Sequence, residues 1–386
     1  MQKDFHYYAT YCAARLAGYS HAEGMEICYS AQLVDWCSRT FLARVKGPKA
    51  AATTQLQLEL MEARTDLVGL QDITRIWASF HFLPYDLDAE VEKASRRYRN
   101  KYRLICKPNG TLVKDTVELA KGRGAQAAGI AMHVLADTWA HSGFAGTPSL
   151  VINNTGPYFF ELLPDPERER PVRFRHSPGA PDDLEKGIYS NSVYQPSENT
   201  IMNLGHGRAG HLPDYSFARY KYLPAWGEYE VLVKDNPREY YLAFCQMVYA
   251  MAYLRGGAGD FALSTYATET VQPWEKEIRE ILEKRQLDAC ADWKALGERI
   301  AGTALEDFAL EKYEREYLEA PPEAKDGTFL GRFFLAAMAQ KSMVTNRIFR
   351  SGSLLAGFSV DFGEKGFRGI RDYRKLLDFV REERDR

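Results

Sequence analysis

Residues 133–141, HVLADTWAH, place His133, Asp137 and His141 at intervals of four in an alanine-rich run that reads as helix. At 3.6 residues per turn the three Cβ atoms share one face, with the two histidines ~12 Å apart along the axis. One ion cannot take both. A metal-binding stripe of this kind needs at least two ions with Asp137 between them, and it needs other segments to supply further ligands. The competing reading is structural, a helix whose polar residues are paired with neighbours and hold no metal.

The distribution of the other histidines favours the metal. The chain has eight. His21 opens a helix and His176 lies in a charged stretch, so both are expected to face solvent or cap. The other six are His6, His81, His133, His141, His206 and His211. Several lie beside a carboxylate or another histidine: DFH (Asp4, His6), HVLADTWAH, and GHGRAGHLPD (His206, His211, Asp214). Asp35 follows an apolar run on a helix, where a carboxylate needs a partner because burying an unpaired charge costs several kcal/mol. Imidazole and carboxylate are the ligands zinc takes when thiolates are absent.

Length and composition bound the rest. A chain of 386 residues, 45% hydrophobic and 26% charged, is an ordinary globular sequence that can bury a large core. A formal net charge of -2 argues against a generally basic nucleic-acid footprint. Six cysteines without a CxxC pair read as reduced, small buried hydrophobes. The start, MQKDFHYYATYCAARLAG, lacks the apolar core of a signal peptide, so a cytoplasmic location is expected. The longest apolar run, YYLAFCQMVYAMAYL, falls short of a membrane span and contains Gln246.

Periodicity predicts an all-α fold, mainly helical with minor β-hairpin insertions. Helical spacing runs from Tyr7 to Ala17 and from His21 to Leu42, with Ser20 placed to cap the second helix. QLQLELMEARTDLVGL alternates and suggests a strand, and YRLICKPNGTLVKD carries a Pro-Asn-Gly turn that suggests a hairpin. Helix is expected again from Lys114 to Ala120 and through the motif. The stretch from Gly143 to Pro213 is rich in proline, glycine and charge, too long for a plain connector. Its central part, Thr147 to Gly205, is expected to be a mobile cover on the substrate side. Past Asn236 amphipathic helices are predicted at Pro237–Arg255, Gln272–Lys284, Asp292–Ala320, Phe329–Arg350 and Ile370–Glu383. The expected organisation is a metal-binding domain over 1–235 and a C-terminal helical region over 236–386, packed on it as one unit.

Taken in order, HYYATYCAARLAG, SAQLVDW, SFHFLP and the His-x-x-x-Asp helix resemble the ligand order of the zinc-dependent phospholipase C and single-strand nuclease superfamily, over roughly the first 215 residues. The resemblance implies an all-helical domain with three zinc ions at the bottom of a cleft. By position, Asp35, His81, His133 and Asp137 would hold the first ion. His141, Asp214 and either His206 or His211 would hold the second, and His6 and Asp137 the third, with Asp137 bridging. In that superfamily the third ion also takes the free amine and carbonyl of a terminal tryptophan. This chain starts with Met1, so Asp4 is the expected side-chain substitute.

The implied activity is hydrolysis of a phosphoester: a nucleotide, a nucleic acid or a phospholipid head group. Asp35 and Asp137 are the candidate catalytic carboxylates, and Arg39, one turn beyond Asp35, is a candidate phosphate ligand. The alternative is a non-catalytic helical binding module stabilised by structural zinc. The adjacent His-Asp pair of HD-type phosphohydrolases is absent.

Overall fold

The computed structural model describes residues 1–63, 67–90, 95–153, 158–163, 168–176, 180–191, 204–227 and 230–356. The helix Gly124–Ala140 is its axis. Every residue from Gln126 to Ala140 is buried, so the alanines that blur its amphipathic pattern are what let neighbours close on it from all sides. His21–Leu33, Thr111–Ala120, Asn236–Gly256 and Phe329–Arg350 all pack against it. Gly129 allows the closest approach: a Cβ there would lie 2.4 Å from the Ile27 carbonyl oxygen. That contact brings the helix leading to Asp35 onto the helix bearing His133.

Around this axis the chain is mainly helical. The first helix begins with a π-helical turn, Asp4–Ala9, and runs on through Thr10–Leu16. Ser20 caps the next helix in a reciprocal capping box with Glu23. That helix ends at Leu33 and a new one, capped by the Ser38 side chain, starts at Arg39. The break falls at Asp35, which leaves that carboxylate beyond the helix end and free to turn toward the axis. Phe5 packs edge-on against Tyr240 and Trp293, and its core is continuous with Leu330, Phe333 and Val344. Residues on both sides of position 235 thus share one hydrophobic core.

A small sheet sits beside the helices. Its strands β1 (Phe159–Leu162), β2 (Glu169–Pro171), β5 (Arg219–Tyr222) and β6 (Leu232–Asp235) are antiparallel in the order β2-β1-β5-β6, while β3 (Arg173–Arg175) and β4 (Ile188–Ser190) form a separate parallel pair. Phe160 lies opposite Pro171, Glu161 opposite Tyr220, and Tyr220 opposite Lys234. Phe159, Tyr189, Tyr220 and Tyr222 build a second core with Phe82 and Phe144. Glu161, 1% exposed, is held by Arg170, Arg285 and the Tyr189 hydroxyl, which ties the sheet to the C-terminal helices.

Several expected elements change. The alternating segment is helical, as Gln57–Ala63 and Leu67–Phe80; Leu, Glu, Met and Ala are strong helix formers, and a short alternation does not outweigh them. The proposed hairpin is absent: Asn109 takes a left-handed conformation and Gly110 starts the helix Thr111–Ala120, while Ile105 makes only an isolated bridge to Ala145. Asp292–Ala320 divides into Cys290–Ala301 and Glu311–Glu319, the first ended by Gly302 at φ 67°. Phe329–Arg350 has the expected bounds. The helix predicted at Ile370–Glu383 lies outside the described residues.

The expected cover also falls partly outside them; where described it holds a short helix, Leu150–Asn153, and the strands β1 to β4. All six cysteines are free, five of them buried. Among the described residues no helix is long and apolar enough to cross a membrane.

Candidate metal centre

Four histidines are tethered in the same way. One ring nitrogen of each is bound to a backbone carbonyl, which can only accept and so fixes that nitrogen as N–H. His133 Nδ1 lies 2.9 Å from the Ala31 oxygen, His81 Nε2 3.0 Å from that of Thr53, His141 Nδ1 2.6 Å from that of His81, and His206 Nδ1 2.8 Å from that of Gly210. In the neutral rings the opposite nitrogens therefore carry lone pairs. This is the tautomer control typical of metal-ligating imidazoles.

Those lone pairs converge on carboxylates. His81 Nδ1 and His133 Nε2 each lie 3.2 Å from Asp137 Oδ2, and they lie 3.8 and 3.9 Å from Asp35 Oδ1. His141 Nε2 is 3.1 Å from Asp214 Oδ1, and His206 Nε2 is 3.4 Å from Asp214 Oδ2. His6 is fully buried, stacked on His133 with ring centroids 3.7 Å apart; its Nε2 is 3.1 Å from Asp137 Oδ1 but makes no hydrogen bond, and neither does its Nδ1. Donor atoms thus gather in three groups: Asp35, His81 and His133; His6, His133 and Asp137; His141, His206 and Asp214.

The terminal amine of Met1 completes the cluster. It is buried, 2.7 Å from Asp137 Oδ1, 3.1 Å from Asp214 Oδ1 and 3.4 Å from His141 Nε2. Burial works against its charge, but Asp137, Asp214 and Asp35 outweigh that and raise its pKa to about 11. Burial likewise opposes ionisation of Asp137, yet His141, the amine, His133 and His6 hold it well below the usual carboxylate range. Asp214 is held low against burial by His206, the amine and His141. Burial depresses His6 and His206 to about 4, so both are neutral at pH 7.

The electrostatics fit divalent cations. Three carboxylates, Asp35, Asp137 and Asp214, gather around a single ammonium, and burying such charge is costly without a counter-ion. The same ions would give partners to the orphaned nitrogens of His6 and to the facing nitrogens of His81 and His133. Imidazole and carboxylate donors with one amine suit zinc.

Two expected ligands lie elsewhere. Asp4 accepts from the backbone N–H of Phe5 at 2.7 Å and of Ala289 at 3.3 Å, and its place at the cluster is taken by the Met1 amine. Burial raises the Asp4 pKa to about 6. His211 turns away to Asp182 and belongs to none of the three groups, whereas His206 joins Asp214. Arg39 is bound by Asp72.

A cavity of about 400 Å³ opens beside the His141–His206–Asp214 group, lined in part by Gln55, Trp77, Phe82, Leu204, His206 and His211. Phe82 stacks on His141 with centroids 4.6 Å apart, so the apolar wall touches the cluster directly. Trp77 and Phe82 flank the isolated His81 in sequence, a signal for this wall that aromatic abundance hides. Asp182 carried no local signal of its role.

Residues 1–348 match a family described as a family of unknown function, DUF6765. No curated protein and no solved structure matches the chain. The family match takes in every ligand candidate and both sides of position 235, and on it the chain belongs to the DUF6765 family.

Proposed function

We propose that the chain is a zinc-dependent phosphoester hydrolase built on this cluster. The observation that carries the reading is the convergence of the free ring nitrogens of four carbonyl-tethered imidazoles on Asp137 and Asp214. Asp35, His81, His133 and Asp137 Oδ2 would hold one ion, His141, His206 and Asp214 a second, and His6, Asp137 Oδ1 and the Met1 amine a third. Zinc held by these residues would supply an acidified water and positive charge to offset that on a phosphoryl group. The ligand order noted in the sequence supports the same reading.

The chain's own residues have distinct tasks. Asp35, 31% exposed at its side chain, is the most open carboxylate of the cluster and can accept a proton from an attacking water. The backbone carbonyls of Ala31, Thr53, His81 and Gly210 hold the imidazoles in register. Trp77, Phe82 and Leu204 offer an apolar wall for the organic part of the ester.

Elemental analysis of zinc-supplemented protein, followed by hydrolysis of bis(p-nitrophenyl) phosphate before and after metal removal, tests the proposal. Two or three equivalents of zinc with zinc-dependent turnover are expected. One observation favours the structural alternative for part of the cluster: His6, His133 and Asp137 are at most 1% exposed, beyond the reach of substrate. Full zinc content without turnover of any phosphoester would extend that alternative to the whole centre.

A further inference from the structure

His211 lines the cavity beside His206 without joining the cluster. Its imidazole is half exposed, and its Nδ1 lies 3.2 Å from Asp182 Oδ2. The Asp182 side chain is 1% exposed and also accepts from the Tyr215 hydroxyl at 2.9 Å and the Ser190 backbone N–H at 2.6 Å. Burial alone would raise its pKa, but the His211, Ser190 and Tyr215 hydrogen bonds hold it below the usual range, so it is an anion that receives Nδ1–H. The Asp182–His211 pair therefore points one defined nitrogen, Nε2, away from the carboxylate.

The backbone fixes where this dyad sits. Gly210 has φ 59°, and a Cβ there would meet the Ser190 carbonyl oxygen at 2.2 Å. Its own carbonyl holds His206 Nδ1. One glycine thus presses the His206–His211 loop onto strand β4, orienting a candidate zinc ligand on one side and seating His211 near Asp182 on the other. Among the described residues Nε2 of His211 has no hydrogen-bond partner. A buried carboxylate has been placed to orient a histidine that the three donor groups do not use.

We propose that His211, positioned by Asp182, is the general acid that protonates the leaving oxygen during phosphoester hydrolysis. The assignment rests on the phosphoester-hydrolase reading above. Water attacks phosphorus and forms the new P–O bond, giving up its proton to Asp35 and then to solvent. The P–O bond to the leaving group breaks, its electron pair stays on the leaving oxygen, and that oxygen takes the Nε2 proton and departs as an alcohol. Solvent returns a proton to His211. Asp182 is a positioning residue, since it acts only through the imidazole.

The test compares two phosphodiesters on the full-length zinc-loaded protein, one expelling p-nitrophenolate and one expelling a simple alkoxide. A nitrophenolate leaves without a proton; an alkoxide does not. For His211→Ala and His211→Gln, kcat/KM on the alkyl ester should fall about 100-fold further than on the nitrophenyl ester, the range for loss of a general acid. Asp182→Asn should shift the ratio the same way by a smaller factor. Zinc content of the His211 variants should equal that of wild type.

Equal losses on both esters, no loss on either, or a missing zinc equivalent would overturn the assignment; the last would make His211 a ligand. If wild-type protein with full zinc cleaves neither ester, the hydrolase reading fails and takes this one with it. If wild type cleaves both and the ratio does not move, only the role of His211 falls.

Discussion

His81 Nδ1 and His133 Nε2 face each other across 3.3 Å, each with its other ring nitrogen bound to a backbone carbonyl. Held this way the two rings turn their free nitrogens toward each other, and Asp137 Oδ2 brings a negative charge to the same point. Cations held between them would reverse the sign of the interaction. Removing zinc with a chelator should therefore lower the melting temperature markedly, because ligands drawn from separate segments bind only in the folded chain. Calorimetry with and without chelator measures the shift; an unchanged melting temperature at full metal loss would refute the role assigned to the cluster.

Asp137→Asn should be more damaging than loss of any single histidine. Oδ1 faces the Met1 amine and His6, while Oδ2 faces His81 and His133. The amide keeps the shape and loses the charge, so more than one zinc equivalent should leave together. His141→Ala should release one ion at most. Zinc stoichiometry of the two variants, measured side by side, decides the matter, and equal single-ion losses would mean that Asp137 does not link two sites.

An extension of two residues ahead of Met1 should weaken the centre. It converts a charged amine, paired with Asp137 and Asp214, into a neutral amide and forces extra chain into a buried space. Less zinc should be retained under competition with a chelator than by the chain that begins at Met1. Equal retention would show that the amine is dispensable.

Asp4→Asn should stabilise the protein at pH 7 and leave it unchanged near pH 3. The Asp4 pKa is raised by burial to about 6, above its unfolded value near 3.8. The folded state therefore binds the proton more tightly, and stability is lost as pH rises from the unfolded pKa through the folded one. Two units correspond to at most about 3 kcal/mol, less for a partly exposed group. Asparagine keeps an acceptor oxygen for the shorter hydrogen bond, from the Phe5 N–H at 2.7 Å, and gives up only the longer one from the Ala289 N–H at 3.3 Å. Thermal melts across pH 3–8 give the result, and a variant less stable than wild type at pH 7 would contradict it.

What the sequence determined by itself is what repeats within a few turns of chain. The four-residue spacing of His133, Asp137 and His141 made their shared helix face readable. The Ser20–Glu23 cap and the bounds of Phe329–Arg350 were equally local. Short alternation was a weaker guide, because Gln57–Ala63 could satisfy it as strand or helix until packing chose. The strands β1 to β4, three or four residues long and interleaved with proline and charge, left no periodic trace.

Only the tertiary structure chose among chemically equivalent candidates. His206 and His211 precede Asp214 by eight and three residues, and the choice came from Asp182, 29 residues from His211. The amine of Met1 displaced Asp4 at the cluster through a contact with Asp137 across 136 positions. Spacing fixes which side chains share a face. Which of them meet across the fold depends on close approaches such as Gly129 against Ile27 and Gly210 against Ser190, where the absence of a single Cβ sets the position of a whole segment.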